Sequence, residues 1–232
     1  MEIDVKKIEE LLEVKFKDKE LVKTAFTHRS FLNEHPDYKN PSNERLEFLG
    51  DAILQFLSSE FLYHNYPKAP EGNLTNFRAA LVNTTSLAEE SRRLGFGEFL
   101  FLSHGEEASG GRNREYILAN TFEAVIGLIY LENDVETVRV YLTKQLFYKV
   151  KHIVENNKYK DFKSAVQELS QAKMNQTPLY KVVDQWGPDH NKTFKVGIYV
   201  GEKLFGEGEG SSKQRAEQMA AKNALDNLIQ LK

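Results

Sequence analysis

Asn43-Glu44-Arg45-Leu46-Glu47-Phe48-Leu49-Gly50-Asp51-Ala52-Ile53-Leu54 is the stretch on which the chain turns. It reads as the start of a helix: Ser42 or Asn43 can cap it, Glu44 sits in the first turn, and apolar residues continue to Phe61 and Leu62. At helical spacing Glu44, Glu47 and Asp51 fall within one narrow wedge. Leu46, Phe48, Leu49, Ala52, Ile53, Leu54, Phe56 and Leu57 cover most of the remaining circumference, so the helix is expected to be largely buried. Three carboxylates on one stripe of a buried helix repel one another unless a cation neutralises them. A solvated acidic face is the alternative; the apolar surroundings favour the cation, and oxygen ligands suit Mg²⁺, with Mn²⁺ as an alternative.

A second apolar helix runs from Ile117 to Leu131, and Asn120 and Glu123 form an i, i+3 pair on one of its faces. Shorter helical patterns cover 4–14, Leu21–Phe26, Asn73–Val82, Thr84–Leu94 and Val135–Val150. The segments 33–42, 67–72 (with Glu71 just before the next helix) and 105–114 read as loops, and no useful strand pattern precedes residue 150. His28, beside a helix end, reads as structural rather than as a ligand. After a polar stretch the periodicity changes to helix (Asp161–Lys173), three strands (Leu179–Asp184, Thr193–Val200, Glu202–Gly208) and an Ala-rich helix (Ser211–Leu231). The chain is therefore read as multidomain: an all-α domain (1–154), a linker (155–160) and a small α+β domain of order α-β-β-β-α (161–232).

Composition narrows the function. With 232 residues, 41% hydrophobic, the chain can bury a core. The absence of Cys excludes disulfides and thiolate metal sites, and the six His show no zinc spacing. The polar first residues do not read as a signal peptide and no apolar run matches a membrane span, so a cytoplasmic protein is expected. The net charge of −3 conceals an asymmetry: Lys158–Lys232 carries 12 Lys+Arg against 9 Asp+Glu, whereas the preceding part carries 19 against 25. A basic last part suggests a polyanionic partner.

Asn43–Leu54 resembles the signature motif of ribonuclease III, and Gly110-Gly111-Arg112 with Ala119-Asn120-Thr121-Phe122-Glu123-Ala124 resembles that family's second block. Val166-Gln167-Glu168-Leu169, Gly187-Pro188-Asp189-His190 and Gly208–Glu217 resemble a double-stranded RNA-binding domain. The resemblance spans nearly the whole chain in the order of the minimal bacterial enzyme. It implies a homodimeric, Mg²⁺-dependent endonuclease that hydrolyses double-stranded RNA to 5′-phosphate and 3′-hydroxyl ends, processing ribosomal precursors and degrading some messengers, with no small-molecule cofactor. By motif position Glu47, Asp51, Asn120 and Glu123 take the metal places, with Asp51 and Glu123 central to catalysis. Glu44 and Glu71 match supporting acidic positions, and Phe48 matches a residue received by the partner subunit. In the RNA-binding domain Gln167, Glu168 and Gln171 are expected at one minor groove and His190 at the next. Ser212, Lys213 and the N-terminus of the last helix are expected at phosphates. Gln214 stands where the family commonly has Lys, with Arg215 or Lys192 compensating; Trp186 and Tyr180 read as packing residues.

Asn120 departs from the family's usual Asp. It keeps a carbonyl oxygen but removes a charge, and reads as a natural variant, an engineered change or the mark of a binding-only protein; the first is favoured because the other carboxylates are present. The rival reading is accordingly a double-stranded RNA-binding dimer with impaired cleavage. A metallohydrolase of small phosphate esters is disfavoured by the RNA-binding module.

Overall fold

The computed structural model describes residues 3–156, 162–188 and 192–230, and the chain divides into two compact units, Met1–Tyr159 and Lys160–Lys232. The first is helical: α1 (Val5–Leu12), α2 (Lys19–Ala25), α3 (Arg29–Glu34), α4 (Glu44–Asn65), α5 (Glu71–Leu81), α6 (Thr84–Arg93), α7 (His104–Ala108), α8 (Glu115–Glu132), α9 (Val135–Leu142) and α10 (Lys149–Glu155). A single π turn, Thr143–Phe147, joins the last two.

α8 is the axis of this unit. It is apolar almost all round, and Ile117–Ala119, Phe122 and Ala124–Ile129 are buried. α4 crosses α8 with backbone against backbone. A Cβ at Gly50 would stand 1.8 Å from the Glu123 carbonyl oxygen, and one at Gly127 would stand 2.4 Å from that of Leu46. Glycine is the only residue that permits this approach. Leu46, Leu54, Leu57 and Leu62 then pack with Phe122, Val125, Ile129 and the α9 residues Val138 and Leu142.

Several expectations need correction. α4 is not largely buried: Phe48 is 80% exposed, Phe56 57% and Tyr63 68%. Apolar residues around a circumference do not reveal which side the chain itself covers. Neither Ser42 nor Asn43 makes a side-chain cap to the α4 backbone. Asn43 is buried; its backbone N–H donates to the Thr27 carbonyl at 2.8 Å and its side-chain amide to that of Ala25 at 3.4 Å. Glu71 opens α5 instead of preceding it. α3 and α7 run into the segments 33–42 and 105–114 read as loops, both helices being short and polar.

The second unit contains α11 (Phe162–Met174), β1 (Leu179–Trp186), β2 (Thr193–Val200), β3 (Lys203–Gly210) and α12 (Lys213–Ile229). The strands form an antiparallel sheet in the order β1-β2-β3. Val166, Val196, Ile198, Val200, Phe205 and the alanines of α12 make its core. α12 lies directly on β3: Cβ atoms at Gly206, Gly208 and Gly210 would meet the backbone nitrogens of Ala224, Ala220 and Ala216 at 2.7, 2.1 and 2.6 Å. Tyr180 packs against this core, but Trp186, at the end of β1, is 43% exposed and is not a packing residue. Most of the expected linker and His190 lie outside the described residues.

Candidate functional site

The Gly50–Gly127 crossing sets the acidic stripe of α4 against the polar pair of α8. Asn120 hydrogen-bonds Glu47, and Glu123 feels both Asp51 and Glu47. Glu47 and Glu123 are half-buried; Glu44 and Asp51 are exposed. Burial, and then the charges of Asp51 and Glu47, push the Glu123 carboxyl up to about 8. Burial and the neighbouring Glu44 likewise raise Glu47, a rise that the Asn120 amide opposes and Asp51 adds to. Gln55 donates to Asp51 Oδ1 at 3.2 Å, and Arg29 lies 3.8 Å from Glu44, with both side chains more than half exposed.

A carboxyl held near 8 by burial and then by two neighbouring carboxylates suits a divalent cation, whose field would favour its charged form. The donors are carboxylate and amide oxygens, the chemistry of a hard ion. Among the described residues, no three Asp, Glu or His side chains converge closely enough to form a metal-ligand cluster by themselves. Asn120 contributes an oxygen without a charge, which weakens the set's pull on a cation relative to a carboxylate.

Glu44, Glu47 and Asn120 line one cleft of about 480 Å³, together with His28, Arg29 and Asn33. These last three were not expected at the site. The run Thr27-His28-Arg29-Ser30 was visible as a helix end, but nothing in it announced that α3 follows and faces the acidic residues. His28 caps α3, accepting from Ser30 N–H, and burial holds its imidazole below the ordinary value. Glu71 lies elsewhere in the chain's own surface, in a groove with Phe56, Tyr63 and Arg78, where its carboxylate accepts from Thr75 Oγ1 at 2.9 Å.

In the second unit Gln167, Glu168 and Gln171 are exposed on α11, and Gln171 donates to Asn175 Oδ1 at 2.6 Å. Ser212, Lys213, Gln214 and Arg215 are exposed at the start of α12; Ser212 Oγ accepts from the Arg215 N–H at 3.3 Å, and the Arg215 guanidinium donates to Ser211 Oγ at 2.9 Å. Lys213 Nζ lies 5.9 Å from the Phe194 ring centroid, and Lys192 is half-buried.

Comparison with known proteins bears on both units. Residues 18–150 match the family model described as ribonuclease-III-like, and residues 162–228 match that of the double-stranded RNA binding motif. Ribonuclease 3 of Streptococcus pneumoniae serotype 19F (strain G54) is 47% identical over 214 residues, 92% of each chain. That of strain CGSP14 is 46% identical over 213 residues, 92% of this chain and 91% of the relative. A solved nuclease domain of ribonuclease III from Campylobacter jejuni, titled for flexibility in a region involved in dimer formation, superposes with a TM-score of 0.57 at 41% identity, covering 61% of this chain and 95% of that one. A second C. jejuni nuclease-domain structure gives 0.56 at the same identity, covering 61% and 92%. An all-helical unit built on the α4–α8 crossing, followed by an α-β-β-β-α unit, and matching on both halves, places the chain in the ribonuclease III family.

Proposed function

We propose that this ribonuclease III cuts both strands of duplex RNA by Mg²⁺-dependent hydrolysis, leaving 5′-phosphate and 3′-hydroxyl ends, and that its substrates are structured precursors such as ribosomal RNA in the cytoplasm. The observation that carries the reading is the close crossing of α4 and α8 at Gly50 and Gly127, which sets Glu47 and Asp51 beside Asn120 and Glu123. Glu47, Asp51, Asn120 and Glu123 would hold the ion. A bound Mg²⁺ supplies a nucleophilic water at neutral pH and offsets charge on the scissile phosphate. Asp51, the more exposed of the central pair, faces solvent and substrate; Glu123, half-buried against α4, fixes the depth of the site. Asn120 orients Glu47 through their hydrogen bond.

Two copies pair in this reading. Phe48, Phe56 and Tyr63 leave an exposed apolar strip along α4, and Glu71 stands beside that strip, so pairing would cover the strip and bring Glu71 towards a partner's acidic stripe. On the RNA-binding unit, Gln167, Glu168 and Gln171 take one minor groove and His190 the next, while Ser212, Lys213 and the amides opening α12 meet phosphates. Lys192, Gln214 and Arg215 add backbone contacts.

Asn120 favours one other reading, a duplex-binding dimer that cleaves poorly. Incubating the protein and Asn120→Asp with long double-stranded RNA and Mg²⁺ separates the two. Short duplexes from both proteins support the nuclease with Asn120 as a working ligand, and the Asp form should need less Mg²⁺. Cleavage by the Asp form alone makes this chain an RNA trap. Binding without cleavage by either refutes the nuclease reading.

A further inference from the structure

His28 does more than the fold asks of it. As the residue capping α3 it needs only one acceptor, which Asn, Asp or Ser would supply as well. Its Nδ1 accepts the Ser30 N–H at 3.3 Å and lies 2.8 Å from Ser30 Oγ. That hydroxyl oxygen also accepts the Ser103 N–H at 3.1 Å, and because Nδ1 already accepts the Ser30 backbone N–H, the hydroxyl contact runs from Ser30 Oγ–H to Nδ1. With both contacts directed at its lone pair, Nδ1 carries no hydrogen, so the ring's proton sits on Nε2. Among the described residues Nε2 has no hydrogen-bond partner, and the ring lines the cleft shared with Glu47 and Asn120. An imidazole is thus held in one tautomer and one orientation, with its free N–H beside the acidic residues.

The neighbouring side chain completes a pattern. Arg29 follows directly and lines the same cleft. Among the described residues its one ion pair is a long one to Glu44, at 3.8 Å between two well-exposed groups, a contact that water and salt loosen easily. A neutral N–H donor and a lightly held guanidinium on one wall, with oxygen ligands on the other, suit an anion that continues away from the metal-binding oxygens. A cleft of about 480 Å³ falls in the size range of ligand pockets. A nucleic-acid strand has this form, because its charges recur at every nucleotide.

We propose that His28 Nε2–H and the Arg29 guanidinium bind the phosphate next to the scissile one, on the strand being cut. The proposal rests on the nuclease reading and deepens it. His28 and Arg29 touch substrate without entering the bond-breaking step: they fix where along the strand the acidic residues act, and they offset the repulsion between that flanking phosphate and Glu44 and Glu47.

Two substitutions separate capping from substrate binding. His28→Asn keeps an acceptor where Nδ1 stood and removes the distal donor. His28→Gln places an amide N–H near the position of Nε2 and loses the cap. In the full-length protein, His28→Asn should keep the thermal midpoint of the unsubstituted chain and lose about ten- to a hundredfold in kcat/KM on a duplex with one defined cut, the range for a lost hydrogen bond to a charged group. His28→Gln should melt earlier yet, where it is folded, recover much of the cutting that His28→Asn loses. Replacing phosphates beside the cut one at a time by methylphosphonate should slow the unsubstituted protein at one position, where His28→Asn shows no further loss. Normal cutting by His28→Asn overturns the proposal, as does a His28→Gln protein that is folded but as slow as His28→Asn. If the unsubstituted protein cuts nothing, the nuclease reading has failed. Duplex affinity then decides separately for His28: tighter binding than by His28→Asn upholds the contact, and equal binding overturns it.

Discussion

Gly50→Ala adds one methyl group at the place where α4 and α8 touch. The new Cβ would lie 1.8 Å from the Glu123 carbonyl oxygen, whereas ordinary contact begins at 3.4 Å, so the helices must separate by about 1.6 Å or twist to the same effect. The obstacle is backbone, which no rotamer change can relieve. Alanine is the better helix former by about 0.5–1 kcal/mol, but overpacking of this kind costs about 1–3 kcal/mol and here falls at the upper end. A net loss of about 2 kcal/mol lowers the thermal midpoint of the nuclease unit by roughly 4–8 °C. The larger effect is on catalysis. The obstructed carbonyl belongs to Glu123 itself, so the displacement falls directly between Glu123 and Asp51. Misplacing reacting groups by about 1 Å costs on the order of a hundredfold in rate. Gly72→Ala is the matched control: it lies in α5, its Cβ would meet nothing within 4 Å, and the midpoint should rise by about 1–3 °C with unchanged cleavage. Thermal melts and initial rates on a defined duplex provide both readings. A Gly50→Ala protein with normal melting and normal cutting would refute the claim that backbone contact sets the site.

Phe48→Asp should leave folding intact, since the ring is 80% exposed, but convert dimer to monomer in sedimentation. Two rings each contributing about 2 kcal/mol on burial correspond to roughly a thousandfold in dimer affinity, and unchanged association would count against α4 as the pairing face. A second test concerns acid stability. Glu90 has a side chain only 2% exposed; burial raises its pKa, but hydrogen bonds from Lys149, Tyr148 and Arg93 outweigh that and hold it below 4.5. Its stabilisation is therefore present above about pH 4.5 and lost as pH falls through the depressed folded value. Glu90→Gln should cost about 3 kcal/mol at pH 7, measured by urea unfolding, and the gap to the unsubstituted protein should narrow at pH 3; a gap that does not change with pH would refute the assignment.

The parts legible in the sequence were those that repeat. α8 and the α-β-β-β-α unit announce themselves through apolar runs and alternation, and the spacing of Glu47 and Asp51 survives directly into the α4 geometry. What escaped was set by neighbours distant in the chain. Periodicity could not show that α4 leaves Phe48 and Phe56 uncovered, because a circumference of apolar residues looks the same whether this chain or a second copy packs on it. α3 was missed because six residues with only Phe31 buried carry no pattern. His28 and Arg29 were therefore not placed at the cleft. Asn43 was read as a cap, yet its amide reaches back to Ala25, eighteen residues earlier in the chain.

The ladder of Gly206, Gly208 and Gly210 against Ala224, Ala220 and Ala216 works as a matched pair of rulers. Two strand residues advance about 6.6 Å and four helix residues about 6.0 Å, so the divisions nearly coincide but drift by about 0.6 Å per step. The ladder ends after Gly206, where the pairing of β3 with β2 shifts register, Phe205 turns into the core and Leu204 turns out to solvent. Tolerance to sequence change should therefore be graded along α12. Towards its end, where side chains keep helix and strand apart, residues of differing size are admissible. From Ala216 to Ala224 a single carbon added on the facing strand has no room. The charged start of α12 thus lies within the stretch that sequence drift can move least.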